Sequence, residues 1–163
     1  MHWIALQWPP DPSLPTRAAR GGWALQITPR VVWLDEALLL EVSGCERLWG
    51  GRQRLGQLIH EQNPALAQMG RAQAATSLIA LARLRLVQRG VPCGAVGADV
   101  PACLPLDTLT AAQDALELLA RMGCRTWGDV AALPRGGLVR RFGPALRAAL
   151  DRAWGLVPDQ YPW

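Results

Sequence analysis

The chain has 163 residues, half of them apolar and 18% charged. That composition excludes a disordered tail and suits one domain, or two small ones, with a genuine core. All 17 basic residues are arginine, so lysine Schiff-base chemistry and a lysine-dependent phosphate loop are excluded too. The net charge of +4 is unevenly spread. Residues 121–152 hold Arg121, Arg125, Arg135, Arg140, Arg141, Arg147 and Arg152 against Asp129 and Asp151, a balance of +5, while the remainder is close to neutral. A basic C-terminal third on a neutral body suggests a surface for a polyanion, the plainer alternative being a solvated arginine-rich face.

Residues 2 to 8 read as a short strand, and Pro9, Pro10, Pro12 and Pro15 then form a connector up to about Thr16. From Trp23 to Trp33 the composition is β-rich, with Pro29 at a bulge or edge. Leu38 to Val42 continues as a second strand, placing Asp35 and Glu36 at the junction of an antiparallel pair. Arg52 to Gln62 has helical composition with Leu55, Leu58 and Ile59 on one side, and Asn63-Pro64 stops it. Ala65 to Met69 suits a short strand. A long helix follows over about residues 72–89, its Ala75, Leu78, Ile79, Ala82 and Leu86 forming a stripe expected to lie on a sheet.

Residues 90–106, rich in Gly and Pro, read as a linker, and the spacing places a boundary there, dividing the chain into 1–103 and an all-helical 104–163. Thr110 with Gln113 has the pattern of a capping box, and Gly123 ends that helix. Thr126 starts a second helix with Asp129 in its first turn, Pro134 introduces a third over 135–142, and Gly143-Pro144 opens a fourth that ends near Trp154. The fold class expected is therefore α+β, a small antiparallel sheet with packed helices followed by an all-helical unit.

Short helices joined by tight glycine-containing turns, with arginines around them, are the ingredients of a helix-hairpin-helix module. Its exposed backbone N–H groups meet phosphate oxygens and hold DNA without reading sequence. The candidate DNA-binding residues are Arg125, Arg135, Gly136, Gly137, Arg140, Arg141 and Gly143. The alternative is an ordinary helical cap whose glycines only permit sharp turns. Cys45, Cys93, Cys103 and Cys124 are scattered without zinc-ribbon spacing, which suggests a reduced cytoplasmic protein, Cys124 being a small packing residue. His2 and His60 read as structural or surface residues. The opening Met1 to Leu6 is too short for a signal-peptide core, and no apolar run is long enough to span a membrane.

Several segments in order resemble one family. Residues 23–31 (WALQITPRV), 38–44 (LLLEVSG) and 47–51 (RLWGG) resemble the palm of the Y-family DNA polymerases, in their ImuB-like mutagenesis branch. Residues 118–135 (LLARMGCRTWGDVAALPR) and 138–144 (LVRRFGP) resemble the same family's thumb. The resemblance implies a palm over 1–103 and a thumb over 104–163; the family's fingers have no room between the first strand and Trp23, and its little finger has no counterpart within these 163 residues. It also implies a place in bacterial DNA damage tolerance, through translesion synthesis and SOS mutagenesis.

Departures from the family pattern bear on activity. The strand Trp3-Ile4-Ala5-Leu6 carries no acid where the family has a metal-binding aspartate, and the first carboxylate is Asp11. Residues 34–37 (LDEA) do match the second acidic motif, making Asp35 and Glu36 vestigial catalytic candidates able at best to hold a weak Mg²⁺. The expectation is a non-catalytic DNA-binding or scaffold protein with no cofactor. The partners implied are DNA, a RecA-like accessory protein, an error-prone replicative-type polymerase and the sliding clamp, with no membrane. Two alternatives stand beside it: a residual nucleotidyltransferase using Asp35 and Glu36, and a protein-interaction module for which Trp3, Trp8, Trp23, Trp33 and Trp49 would supply a patch.

Overall fold

Four short strands make one antiparallel sheet in the computed structural model, which describes residues 1–66, 70–91 and 100–162. The strands β1 (Trp3–Leu6), β2 (Val31–Leu34), β3 (Ala37–Glu41) and β4 (Arg71–Ala74) lie in the order β2-β3-β1-β4. The two central strands read as nearly continuous apolar runs because both sheet faces are covered. Ile4 opposes Leu40, Ala5 opposes Leu39 and Leu6 opposes Leu38. Leu34 pairs with Ala37, so Asp35 and Glu36 alone form the loop of a tight hairpin. Asp35 takes φ 51°, a left-handed conformation that aspartate tolerates better than most residues.

One sheet face carries Ile4, Leu6, Leu38, Leu40 and Val42, packed against Ala24 of α1 (Arg17–Leu25) and Leu55 and Ile59 of α2 (Arg52–Gln62). The opposite face carries Trp3, Ala5, Leu39 and Ala72, packed against Ala80, Leu81 and Leu84 of α3 (Ser77–Gln88). The far side of α3, formed by Leu78, Ile79, Ala82 and Leu86, packs on the C-terminal helices. These are α4 (Leu116–Arg121), α5 (Trp127–Ala131), α6 (Arg135–Phe142) and α7 (Pro144–Ala153). The α+β class read from the sequence is the one observed. Trp127 is fully buried in the C-terminal cluster, and its indole N–H donates to Pro105 O at 3.0 Å and Thr108 Oγ1 at 3.2 Å. Truncating such a core tryptophan costs about 3–5 kcal/mol. No helix among the described residues is long and apolar enough to cross a membrane.

Local chemistry explains where the elements depart from expectation. Residues 23–25 belong to α1 rather than to a strand, because the Thr16 hydroxyl caps that helix by accepting from Ala19 N, and Pro29 precedes β2 instead of bulging it. The single helix expected over 72–89 divides into β4, which pairs with β1 from Arg71 to Ala74, and α3, which the Thr76 hydroxyl caps. The stripe of Leu78, Ile79, Ala82 and Leu86 faces the C-terminal helices, and different residues of α3 lie on the sheet. Of the strand expected over 65–69, Ala65 and Leu66 lie in a turn closing on Asn63, and 67–69 fall outside the described residues.

Thr110 does not found a capping box; residues Thr110–Ala115 form a 3₁₀ segment, and the Thr110 hydroxyl is drawn to the acidic hairpin instead. The capping box stands at Thr126 and Asp129, each side chain taking a backbone N–H of the other's turn. Helix α4 ends in a Schellman motif, with Gly123 N donating to Ala120 O and Cys124 N to Leu119 O, and Gly123 supplies the required φ of 88°. Cys124 is buried as the sequence suggested, whereas Cys93 and most of the linker lie outside the described residues. Finally the C-terminal segment returns to α3: Asp159 Oδ2 accepts from Ser77 N at 2.8 Å, and the Tyr161 ring stands edge-on to Trp3 at 5.7 Å.

Candidate nucleic-acid interface and the acidic hairpin

The hairpin brings Asp35 and Glu36 to the end of the sheet, and α3 sends Arg85 to meet them. Arg85 Nε donates to Glu36 Oε1 at 2.7 Å and Nη2 donates to Glu36 Oε2 at 2.9 Å. Nη2 also reaches Asp35 Oδ2 at 3.0 Å, while Nη1 donates to Thr108 O at 2.8 Å and Thr110 Oγ1 at 2.9 Å. A guanidinium has five N–H donors, and these five bonds match them. The Thr110 hydroxyl in turn donates to Asp35 Oδ2. The hydrogen bond from Arg85 holds the Glu36 carboxyl below its usual range. Burial works against the charge on Arg85, and Glu36 and Asp35 together more than offset it, raising the guanidinium's already high pKa.

A cationic side chain thus stands where the family resemblance implies divalent metal. Two-metal transfer needs carboxylates from more than one strand, and β1 offers Trp3, Ile4, Ala5 and Leu6. Among the described residues no three His, Cys, Asp or Glu side chains gather as a metal cluster. The donor set does not fit a two-metal centre, because both carboxylates of the hairpin are already held by Arg85.

The other candidate residues lie around α6. Pro134 precedes that helix, and Arg135, Gly136 and Gly137 form its first turn, with Leu138 buried behind them. Both glycines are exposed and neither has a positive φ. A Cβ on Gly136 would meet nothing within 4 Å, and one on Gly137 only Pro134 Cβ at 4.0 Å. The fold itself therefore does not demand glycine at either place. Gly143 differs, since its φ of 83° is what turns α6 into α7.

The arginines divide by what holds them. Arg135 Nη2 donates to Asp151 Oδ2 at 2.5 Å, and Arg147 Nε donates to Asp151 Oδ1 at 2.9 Å. Asp151 on α7 is buried, and the hydrogen bonds of Arg147, with the charge of Arg135, hold its carboxyl low. Arg140 is exposed and its Nε reaches Gly136 O at 3.3 Å, one turn back. Exposed Arg141 lies 5.8 Å from the centre of its neighbour Phe142's ring. Arg125 is also exposed, ahead of α5, and its backbone N–H donates to Asp129 Oδ2. Arg135, Gly136, Gly137, Arg140 and Arg141 therefore share one short helix, Arg135 being paired with Asp151 while its side chain stays exposed, and Arg125 belongs to the preceding turn.

No family model matches the chain. Protein ImuB of Caulobacter vibrioides, in each of two strains, is 34% identical over 143 residues, covering 84% of this chain. The chain is an ImuB-like protein. It spans 31% of the length of those curated relatives.

Sequence reading of the ImuB-like chain missed three groups. The Arg147–Asp151 pair was legible as an i,i+4 spacing, but the third partner, Arg135, is brought in only by the packing of α6 on α7. Arg85 carries no local signal, being 49 residues from Glu36. His2 is buried rather than isolated: its Nδ1 meets Glu46 and its Nε2 lies 3.0 Å from Gln73 Oε1. The tryptophans divide similarly, with Trp3 and Trp8 buried and Trp8 set edge-on to Trp23 at 6.2 Å, so packing accounts for them.

Proposed function

We propose that this ImuB-like chain acts in bacterial DNA damage tolerance as a non-catalytic DNA-binding or scaffold component, gripping the phosphate backbone with the first turn of α6. The glycine pair carries this reading. Two consecutive glycines in a helical first turn weaken the helix by up to about 1 kcal/mol each relative to alanine. The space beside Gly136 and Gly137 is open, so no internal neighbour explains that cost. A phosphate approaching backbone N–H groups at a helix start does explain it. Arg140 and Arg141 on the same helix supply sequence-independent charge in a helix-hairpin-helix-like arrangement. The state of Asp35 and Glu36 supports the non-catalytic part, since Arg85 holds both acids.

The deciding experiment replaces Gly136 and Gly137 by alanine together. Thermal stability should rise while affinity for unrelated duplexes, read by fluorescence anisotropy at low salt, should fall at least fivefold. Unchanged affinity would remove the α6 turn from any DNA interface. A second reading, docking of a protein partner, is favoured by Trp154, Leu156 and Val157, which lie close in sequence and are exposed. A RecA-like accessory protein, an error-prone polymerase and the sliding clamp are the partners that the resemblance implies.

A further inference from the structure

We propose that the groove between α2 and the edge strand β4 is a second phosphate-binding surface, one that takes the backbone of a nucleic-acid strand. It lies by α2, across the sheet from α3 and the C-terminal helices, and is independent of the α6 turn. The groove has a volume of about 520 Å³ and is lined by Arg52, Gln53, Gln57, His60, Arg71 and Gln73 beside Gly56, with no acid among them.

Gly56 is the built feature. It stands in the middle of α2, where glycine weakens a helix. A Cβ there would lie 2.8 Å from Arg71 Nη1. Its absence lets the Arg71 guanidinium lie flat on the helix and donate to Gly56 O at 2.6 Å. The other N–H donors of Arg71 have no acceptor among the described residues, so the group is anchored along one edge and open along the other.

The neighbouring groups are donors as well. Arg52 uses Nε on Glu46, leaving both Nη groups. Gln73 gives its Oε1 to His2, leaving its amide NH₂. The first turn of α2 follows Gly51 and has no side-chain cap, so its backbone N–H groups face an uncapped helix start. A groove whose two arginines keep N–H donors to spare, with the neighbouring acids Glu46 and Glu61 already paired with arginine, fits a ligand made of acceptors, which is what phosphate oxygens are. It follows α2 from Arg52 to His60, about 12 Å at 1.5 Å per residue, an open track more suited to a strand than to a lone ion.

The test observes Arg71 directly through its Nε–Hε resonance, assigned by its loss in Arg71→Gln. The full chain is titrated at low salt with a ten-nucleotide single-stranded DNA and, separately, with inorganic phosphate. The Arg71 signal should move saturably with the oligonucleotide, with affinity at least tenfold above that for phosphate. Gly56→Ala, which pushes the guanidinium off the helix, should weaken this at least fivefold, while the Gly136→Ala, Gly137→Ala double variant leaves it unchanged. No movement with millimolar oligonucleotide would overturn the proposal. So would equal affinity for phosphate alone, which marks an ion site, or loss of the shift in the α6 variant, which makes it an echo of that site.

Discussion

Arg85 meets Glu36 edge to edge, two parallel N–H donors on two carboxylate oxygens at 2.7 and 2.9 Å. The same guanidinium bonds Thr108 O and Thr110 Oγ1. One side chain thereby fastens the β2–β3 hairpin to the segment that leads into the C-terminal helices. The geometry is bidentate and its arginine is largely buried, so the pair contributes more than an ordinary surface ion pair.

Arg85→Met should lower stability by about 1–2 kcal/mol in urea denaturation, a figure reduced from the buried-pair range because both acids retain solvent contact. Millimolar Mg²⁺ should leave the parent's melting temperature unchanged and raise the variant's saturably, since removing the guanidinium uncovers two carboxylates. Equal stabilisation of both proteins would mean that metal reaches the hairpin despite Arg85.

Primer extension with Mg²⁺ and all four nucleotides should add nothing, given a first strand without a carboxylate and hairpin acids committed to Arg85. Extension by the purified chain that disappears in Asp35→Ala would establish a nucleotidyl transferase.

The arginines of α6 should separate into two kinds. Arg140→Ala with Arg141→Ala should leave stability nearly unchanged, weaken binding to unrelated duplexes alike, and reduce the salt slope by about two, roughly one for each phosphate that is no longer neutralised. Arg135→Ala should instead destabilise the fold, because it strips a partner from buried Asp151. Anisotropy across a salt series and chemical denaturation on the same samples distinguish the two.

Acid should loosen the molecule through Glu36 and Asp151. Both carboxyls are held low in the folded chain, Glu36 by Arg85 and Asp151 by Arg147 and then Arg135. A depressed folded pKa contributes stability that is complete above the unfolded value, about 4, and is lost as pH falls through the folded one. Stability should be level from pH 7 to about 5 and decline below about 4. Asp151→Asn should make that decline shallower.

Thr126→Ala should cost about 1 kcal/mol by opening the capping box at the start of α5. The same change at Thr110, which caps no helix, should act through the hairpin and lose its effect once Arg85 is replaced.

Elements bounded by glycine and proline were legible from sequence: α2 runs from Arg52 to Gln62 as read, and α6 and α7 stand on either side of Gly143-Pro144. The hairpin acids also fell where the two apolar runs placed them. The strand Arg71–Ala74 was illegible because Arg-Ala-Gln-Ala contains no β-branched or aromatic residue, and pairing with β1 alone makes it a strand. The stripe on α3 misled because the helix is apolar on two opposite faces, so periodicity identified one buried face and concealed the other. At the candidate site, composition found the exposed arginines but not the buried acid that pairs with Arg135, which depends on how two helices pack.

That doubly buried helix also governs how the chain comes apart. A cut at the linker would leave Leu78, Ile79, Ala82 and Leu86 facing water on one fragment and Leu104, Leu119, Trp127 and Leu150 on the other. Each piece loses half of that shared cluster, so heating should produce one cooperative transition rather than two. Fragments expressed separately should aggregate, or recover native structure only when mixed.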